Sequence, residues 1–159
     1  MPVRRADEER LFASAGICSE GARMSAGPVP KPIPETKEFW EGTLRGELRI
    51  PRCSACDRLF FYPRAYCPFC SSDAIVWETA SGDATVTSYV INRRPSPDFE
   101  SSEPQIIALV TLAAGVRMMT NLRDVEPNPE ALSLGMPLTV RFEPRGDQAL
   151  PMFVPKEVK

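Results

Sequence analysis

The chain has 159 residues, of which 43% are hydrophobic and 25% charged, values that suit one globular domain or two very small ones. Its formal net charge of −2 gives no global reason to expect nucleic-acid binding, and its 17 prolines argue against long helices. It contains no histidine, which excludes Ser-His-Asp and Cys-His catalysis as well as mixed Cys/His zinc sites.

Residues 1–34 are predicted to form a leader that is disordered or extended. Residues 1–27 are polar and lack periodicity, which is typical of disorder, and Cys18 within them is expected to be a free thiol without a role. Acidic residues follow Arg4 and Arg5 almost at once, unlike the pattern of a signal peptide. Alternating prolines then keep the backbone extended, namely Pro28, Pro30, Pro32 and Pro34.

A helix is predicted within residues 35–50, from about Thr36 to Leu48. Thr36 is a good N-cap residue, and Trp40, Leu44 and Leu48 recur at every fourth position, so they would form one apolar stripe. Two glycines weaken the helix, which therefore has to lean on another surface. The stripe either packs on the rest of the domain, the simpler interpretation, or docks against a partner.

Two Cys-x-x-Cys pairs mark residues 51–78 as a metal-binding ribbon. Cys53 and Cys56 form the first pair, and Cys67 and Cys70 the second. Each pair can present two thiolates from one tight turn, and zinc takes four thiolates at tetrahedral corners. A site with four protein ligands has no open position, so the predicted zinc is structural. A rubredoxin-like iron site and a redox dithiol are the alternatives.

Without a signal peptide, paired cysteines of this spacing indicate metal ligands in a reducing compartment rather than disulfides. The longest apolar-rich stretch, Ile106–Val116, is about half as long as a membrane span requires. These two observations predict a cytoplasmic protein that does not cross a membrane.

The ribbon region is basic, although the chain as a whole is acidic. Five arginines and two acids lie between Arg45 and Cys70, a local charge of +3 that leaves −5 on the rest of the chain. This region either binds an anionic small ligand or an acidic partner, or its arginines are solvated and offset the charge of a zinc tetrathiolate. Between the cysteine pairs, Leu59–Tyr66 is aromatic and strand-like but is broken by Pro63.

Residues 79–155 are predicted to form a five-stranded barrel. Their apolar residues alternate with polar ones or form short runs bounded by turn residues, and five short strands in about 75 residues suit a small closed barrel. The predicted strands are residues 84–91, 105–112, 116–122, 138–142 and 152–154.

Several motifs in this order resemble the acyl-CoA-associated zinc-ribbon and OB-fold family, long labelled domain of unknown function 35. They are Phe39-Trp-Glu-Gly42, the two cysteine pairs, Phe61-Tyr-Pro-Arg64 and Ser81-Gly-Asp-Ala-Thr-Val86. The resemblance covers about residues 35–155 and implies a mainly β fold with an N-terminal helix, a rubredoxin-like zinc ribbon and an OB-fold barrel. The family's aromatic-Pro-Pro-Arg motif carries a tyrosine, Tyr62, in place of its first proline here.

The resemblance also implies a function. Members of this family are similar in serving as non-catalytic accessory subunits that dock onto thiolase-superfamily, hydratase or aldolase enzymes in lipid or steroid metabolism and help to form the acyl-CoA site. Because thiolase-like enzymes are usually dimers, a 2:2 heterotetramer is expected. Phe61, Tyr62 and Arg64 are the candidate CoA-binding residues, since a guanidinium suits a phosphate and aromatic rings suit an apolar chain. Packing of the ribbon onto the barrel is the simpler interpretation of Phe61 and Tyr62.

Two other functions fit parts of the chain. Zinc ribbons and OB barrels both bind single-stranded nucleic acid, but the barrel half is acidic and its predicted strands carry few aromatic residues. Nucleic-acid binding is therefore the alternative function. An independent enzyme would have to rely on carboxylates that form no motif, namely Asp83, Asp98, Glu100, Glu103 and Asp124.

Overall fold

The computed structural model describes residues 27–99 and 103–156. One turn of 3-10 helix, Pro34–Thr36, leads into the helix α1, Lys37–Leu44. Seven strands follow: β1 Leu48–Cys53, β2 Ile75–Ala80, β3 Asp83–Asn92, β4 Gln105–Leu112, β5 Arg117–Leu122, β6 Pro137–Arg145 and β7 Gln148–Pro155. The predicted disorder of the first 26 residues and the prediction for Cys18 lie outside the described residues. Within the described ranges, no helix is long and apolar enough to span a bilayer.

Strands β3 to β7 close into a five-stranded barrel in the order β3-β4-β5-β7-β6. All its neighbouring strands are antiparallel except β5 and β7, which pair in parallel through Leu122 and Phe153. The predicted mainly β fold with a closed barrel is confirmed. Buried and partly exposed residues alternate strictly along β4, although its sequence, from which the strand was predicted, is an almost continuous apolar run.

The helix ends four residues earlier than its apolar spacing predicts. Gly46 adopts a left-handed backbone with φ of 75°, and its N–H donates to the carbonyl of Thr43 at 3.1 Å. The N–H of Glu47 donates to the carbonyl of Gly42 at 2.9 Å, so the two bonds form a Schellman motif that ends α1.

The predicted stripe on α1 is therefore wrong beyond its first member. Trp40 packs in the core, as the simpler interpretation required, but Leu44 is 55% exposed and Leu48 belongs to β1. Thr36 does not cap the helix with its side chain. Its hydroxyl donates instead to the carbonyl of Ile33, in the turn that precedes α1.

One apolar core joins the helix, the base of the ribbon and the barrel. Phe39 and Trp40 of α1 and Leu48 and Ile50 of β1 belong to the same buried cluster as the interior residues of the barrel. The rings of Phe39 and Trp40 meet edge to face, with centroids 4.9 Å apart. Because β1 buries Leu48 and Ile50 in this core and carries Cys53 at its far end, the core positions the metal site relative to the barrel.

Candidate metal centre and its surroundings

The two cysteine pairs lie in matching turns. The N–H of Asp57 donates to the carbonyl of Cys53 at 2.8 Å, and the N–H of Ser71 donates to the carbonyl of Cys67 at 2.9 Å. Asp57 and Ser71, each directly after the second cysteine of its pair, both have a left-handed backbone, with φ of 62° and 60°. The repeated Cys-x-x-Cys spacing thus produces the same backbone turn twice, with the cysteine side chains of both turns converging.

The four thiols fit a tetrahedral metal ion. All four sulfur atoms lie within 4.8 Å of one another, and the distances Cys53 Sγ–Cys70 Sγ and Cys56 Sγ–Cys67 Sγ are both 3.6 Å. A tetrahedron with Zn–S bonds of 2.3 Å has sulfur–sulfur edges of about 3.8 Å. The set would occupy every position of a four-coordinate ion, which is the arrangement of a structural site rather than a catalytic one.

Burial and hydrogen bonds separate the pKa values of the metal-free thiols. Burial raises the pKa of Cys53, but the backbone N–H groups of Cys56 and Ala55 outweigh burial and lower it to about 7. Burial, with hydrogen bonds in which the Cys56 thiol donates to the other cysteine sulfurs, raises the pKa of Cys56 to about 12. A metal that binds all four as thiolates must therefore release protons, so its affinity falls as the pH falls.

The ribbon has almost no apolar core of its own. Its buried cluster consists of Cys53, Phe60 and Cys67, with Cys56 and Ile75 partly buried against them. A module of this size cannot offset its conformational entropy by apolar burial alone. Three members of that small cluster are candidate metal ligands, so a bound ion would stabilise the ribbon directly.

The segment between the cysteine pairs differs from its predicted strand. Beyond a single bridge from Leu59 to Arg52, the described backbone of Leu59–Tyr66 forms bends and irregular structure. The N–H of Phe60 still donates to the carbonyl of Pro51 at 3.1 Å, which keeps the start of the segment against β1. Pro63 lacks a donor and cannot continue the ladder.

The three candidate CoA-binding residues lie in different environments. The ring of Phe61 is partly buried in the core, with its centroid 5.4 Å from that of Phe39. Tyr62 is 46% exposed and meets Phe61 edge to face. Arg64 is exposed and forms no ion pair with any residue that the structure describes. Phe61 therefore packs the ribbon onto α1, whereas Tyr62 and Arg64 are open to a ligand or a partner.

A cleft of about 460 Å³, which the sequence did not indicate, separates the ribbon from the β4–β5 turn. The Arg52 guanidinium is bound there by Glu78 and Asp57, whose hydrogen bonds raise the pKa of Arg52. On the ribbon side, the Arg58 guanidinium lies 4.9 Å from the ring centroid of Phe69. The excess of arginines was visible in the sequence, but their placement against a turn of the barrel depends on the tertiary fold. The remaining lining residues are Leu59, Ala114, Gly115 and Val116.

Two carboxylates considered as catalytic candidates are held in ion pairs. Asp83 pairs with Lys156 Nζ at 2.9 Å, and Asp124 pairs with Arg141. In the part of the chain that the structure describes, the four cysteines are the only group of three or more potential metal ligands. The geometry thus supports one closed metal site and gives no acid–base constellation around it.

Comparison with known proteins identifies the family. The model described as "ChsH2, rubredoxin-like zinc ribbon domain" matches residues 40–76, and "ChsH2, C-terminal OB-fold domain" matches residues 77–143. The solved "Ltp2-ChsH2(DUF35) aldolase" has a chain that is 32% identical, with a TM-score of 0.70 over 80% of this chain and 98% of that chain. This chain belongs to the DUF35 family of zinc-ribbon and OB-fold proteins, as its motifs predicted.

Two relatives indicate the kinds of protein in which this architecture occurs. A probable enoyl-CoA hydratase alpha subunit from Thermomonospora curvata is 36% identical over 132 residues, which are 79% of this chain and 40% of that subunit. A DUF35 domain-containing scaffold protein from Methanothermobacter thermautotrophicus is 30% identical over 96 residues, 59% of this chain and 72% of that protein. The chain therefore spans about two fifths of the length of the hydratase subunit.

Proposed function

We propose that this chain is a non-catalytic accessory subunit of an acyl-CoA-transforming enzyme. It would dock onto a catalytic subunit of the hydratase, aldolase or thiolase type and help to form the acyl-CoA site. The observation that carries this proposal is the similarity of its ribbon and barrel to part of an enoyl-CoA hydratase alpha subunit and to a chain of an aldolase. The likeness to a scaffold protein supports an accessory role.

The chemistry of the four-cysteine site supports the proposal that this chain has no catalytic activity of its own. Four thiols around one ion leave no coordination position for substrate or water. Histidine is absent from the sequence, and Asp83 and Asp124 form ion pairs with Lys156 and Arg141. Catalytic groups would therefore come from the partner subunit.

We propose structural zinc as the ion held by Cys53, Cys56, Cys67 and Cys70. The sulfur–sulfur distances of 3.6 Å and the all-thiolate ligand set fit a tetrahedral zinc ion, and the family model is a zinc ribbon. When bound, zinc would supply folding free energy to a module that has only a minimal apolar core.

For the ligand, we propose a CoA thioester held jointly with the catalytic subunit. Arg64 offers a guanidinium that pairs with no described residue and could bind a phosphate, and the exposed ring of Tyr62 offers a surface for the pantetheine chain. Phe61, packed on Phe39, would position these two rather than cover the ligand. A 2:2 assembly remains part of the proposal, since thiolase-like catalytic subunits are usually dimers.

Affinity purification from the organism of origin, followed by mass spectrometry, tests the accessory role. The tagged protein is expected to retain an acyl-CoA hydratase-, aldolase- or thiolase-type subunit in a stoichiometric ratio after nuclease treatment and washing at moderate salt. Size-exclusion chromatography with light scattering then gives the stoichiometry. Recovery of the chain alone from the treated sample, or of nucleic acid in place of a subunit from a parallel untreated sample, would contradict the proposal.

A further inference from the structure

The outer surface of β3, β4 and β5 carries apolar side chains that the core does not use. On β4, Ile106, Ala108, Val110 and Leu112 are buried in the barrel, so the alternate residues Ile107 and Leu109 face outward. They are partly exposed and lie outside the set of residues packed against the core.

The strand register brings these outward residues together with residues of the neighbouring strands. Ile107 lies opposite Val90 on β3, and Leu109 lies opposite Met119 on β5. Val90 is 57% exposed and Met119 is 71% exposed. Side chains on directly opposite positions are within contact distance, so these four residues form one surface, called here the outer patch.

Arginines that form no ion pair with any described residue lie at both ends of the outer patch. Arg93 and Arg94 directly follow β3, just beyond Val90, and Arg117 begins β5, two residues from Met119 on the same face. None of the three forms an ion pair with a residue in the described ranges. The neighbouring carboxylate of Asp98 accepts a hydrogen bond from the Ser96 hydroxyl at 3.0 Å.

The composition of this face favours a protein over nucleic acid. In five-stranded OB barrels the second and third strands, here β4 and β5, form the usual binding face. Binding of single strands relies on aromatic side chains that stack with bases, whereas the outward residues on β3, β4 and β5 are aliphatic, polar or, at Arg117, charged. Methionine and arginine are enriched at protein interfaces, and uncompensated arginines fit carboxylates on the opposing surface.

We propose that the outer patch is the surface by which this chain docks onto its catalytic subunit, against an apolar area flanked by carboxylates. This inference rests on the proposed function, because the acyl-CoA enzyme subunit is the occupant. Each outward position of a sheet occupies an area set by the strand spacing of ~4.8 Å and the two-residue repeat of ~6.7 Å. The four residues of the outer patch and the outward positions next to them on β3, β4 and β5 therefore cover about 300 Å². A stable interface needs roughly 800 Å² per partner, so the patch forms the centre of a larger contact.

The surface extends toward the ribbon. The β4–β5 turn, which ends the strands of the outer patch, also lines the cleft that contains Arg58 and the exposed ring of Phe69. A partner that covers the patch and this turn would therefore also reach the ribbon. Such a contact brings the catalytic subunit toward the module that carries Arg64, as a shared acyl-CoA site requires.

Binding of the purified catalytic subunit to immobilised variants tests the proposal. Met119→Asp is expected to weaken the affinity at least tenfold, because it places a charge in the centre of the apolar contact. Leu44→Asp is the matched control: it adds the same charge at a comparably exposed leucine on α1, the helix that packs against β1 and β7, and should change the affinity less than twofold. Arg117→Glu should lower the association rate constant and its salt dependence.

The outcomes separate this inference from the proposed function. If the wild-type protein recovers no acyl-CoA enzyme subunit, both are overturned. If it recovers one and both Met119→Asp and the milder Met119→Gln bind it as tightly as wild type, only the docking surface is overturned. The docking surface is also overturned if Met119→Asp leaves binding of the catalytic subunit intact and instead dissociates a homodimer of this chain or abolishes its binding to single-stranded DNA. Unchanged thermal unfolding and zinc content show that each variant is folded.

Discussion

Backbone strain in the metal-binding turns is confined to single residues. Ser71 has a φ of 60°, a region in which the Cβ of an L-residue is crowded and glycine is not. Its side chain is exposed and makes no hydrogen bond in the described part of the chain, so the residue contributes mainly through this backbone conformation. Asp57 occupies the matching position but also binds Arg52, so its substitution would change two interactions at once.

Ser71→Gly is therefore expected to stabilise the zinc-bound protein. The left-handed conformation costs an L-residue roughly 1–2 kcal/mol, and the greater freedom of glycine in the unfolded chain offsets part of this, which leaves a gain of about 0.5–1 kcal/mol. Chemical denaturation at constant free zinc measures the free energy of unfolding. Ser71→Ala is the matched control and should give no gain, because it retains the Cβ; equal stability of the two variants would contradict the argument.

Arg64 is the residue at which the proposed CoA contact can be tested most directly. Its guanidinium is exposed and unpaired in the described structure, so removal breaks no internal ion pair. In the complex with the catalytic subunit, Arg64→Ala is expected to weaken CoA binding about tenfold, as for the loss of one charge-assisted contact. Titration calorimetry gives the affinity, and zinc content should stay at one ion per chain.

Arg58→Ala provides the control for this prediction. It removes the same charge from an exposed position in the same ribbon, where the side chain lies over Phe69 rather than beside Tyr62. An equal loss of CoA affinity in both variants would indicate a general effect of positive charge. Unchanged affinity for Arg64→Ala would remove this residue from the proposed site.

At the scale of the structural elements, metal removal should unfold the ribbon and leave the barrel. The ribbon's buried cluster is made largely of cysteines, whereas the barrel has an extended apolar core, and structural zinc contributes on the order of 10 kcal/mol in small zinc modules. A chelator should therefore abolish amide protection in the cysteine turns while β4 and β5 stay protected. Hydrogen exchange with mass spectrometry measures both; loss of protection in the barrel would contradict this independence.

The sequence predicted the elements whose patterns are local. The short apolar run Gln105–Leu112 gave the bounds of β4 correctly, and the cysteine spacing located the four thiols before the structure brought them together. The end of α1 was missed because Leu48 continues the helical spacing by coincidence, while the Schellman motif at Gly46 had already redirected the chain. A helix-stop signal can therefore outweigh apolar periodicity when the next apolar residue of the repeat, here Leu48, is buried in a strand instead.

Features that depend on how the strands pair, or on how the ribbon lies against the barrel, could not be predicted from the sequence. Ile107 and Leu109 appear as part of one apolar run, and only the pairing of β4 with β3 and β5 shows that they face outward beside Val90 and Met119. The cleft between the ribbon and the barrel likewise joins Phe69 to Gly115, which are far apart in the chain. A single sequence does not specify which members of an apolar run lie on the solvent side of a closed sheet.

At the scale of the whole molecule, one core holds the ribbon at a fixed place on the barrel. Phe39, Leu48 and Ile50 are almost fully buried in the cluster that continues into the barrel. The metal site can therefore act as a rigid extension of the barrel although its own buried cluster is small. This arrangement suits a subunit whose role is to present surfaces on both modules to one partner.

The distribution of charge over the whole chain argues against nucleic acid as that partner. The region from Arg45 to Cys70 carries +3 and the rest of the chain −5, so outside the ribbon the chain has no general excess of positive charge to attract a strand. The barrel's outer face also offers aliphatic residues such as Leu109 and Met119 in place of stacking aromatics.

We therefore expect labelled oligo-dT to bind no tighter than ~100 μM at 0.15 M salt, as measured by fluorescence anisotropy. Arg117→Glu supplies the control, because a phosphate contact there would make any binding weaker and less salt-dependent. Binding at micromolar concentration that this substitution diminishes would assign the OB face to nucleic acid, and the accessory role would then have to depend on the ribbon alone.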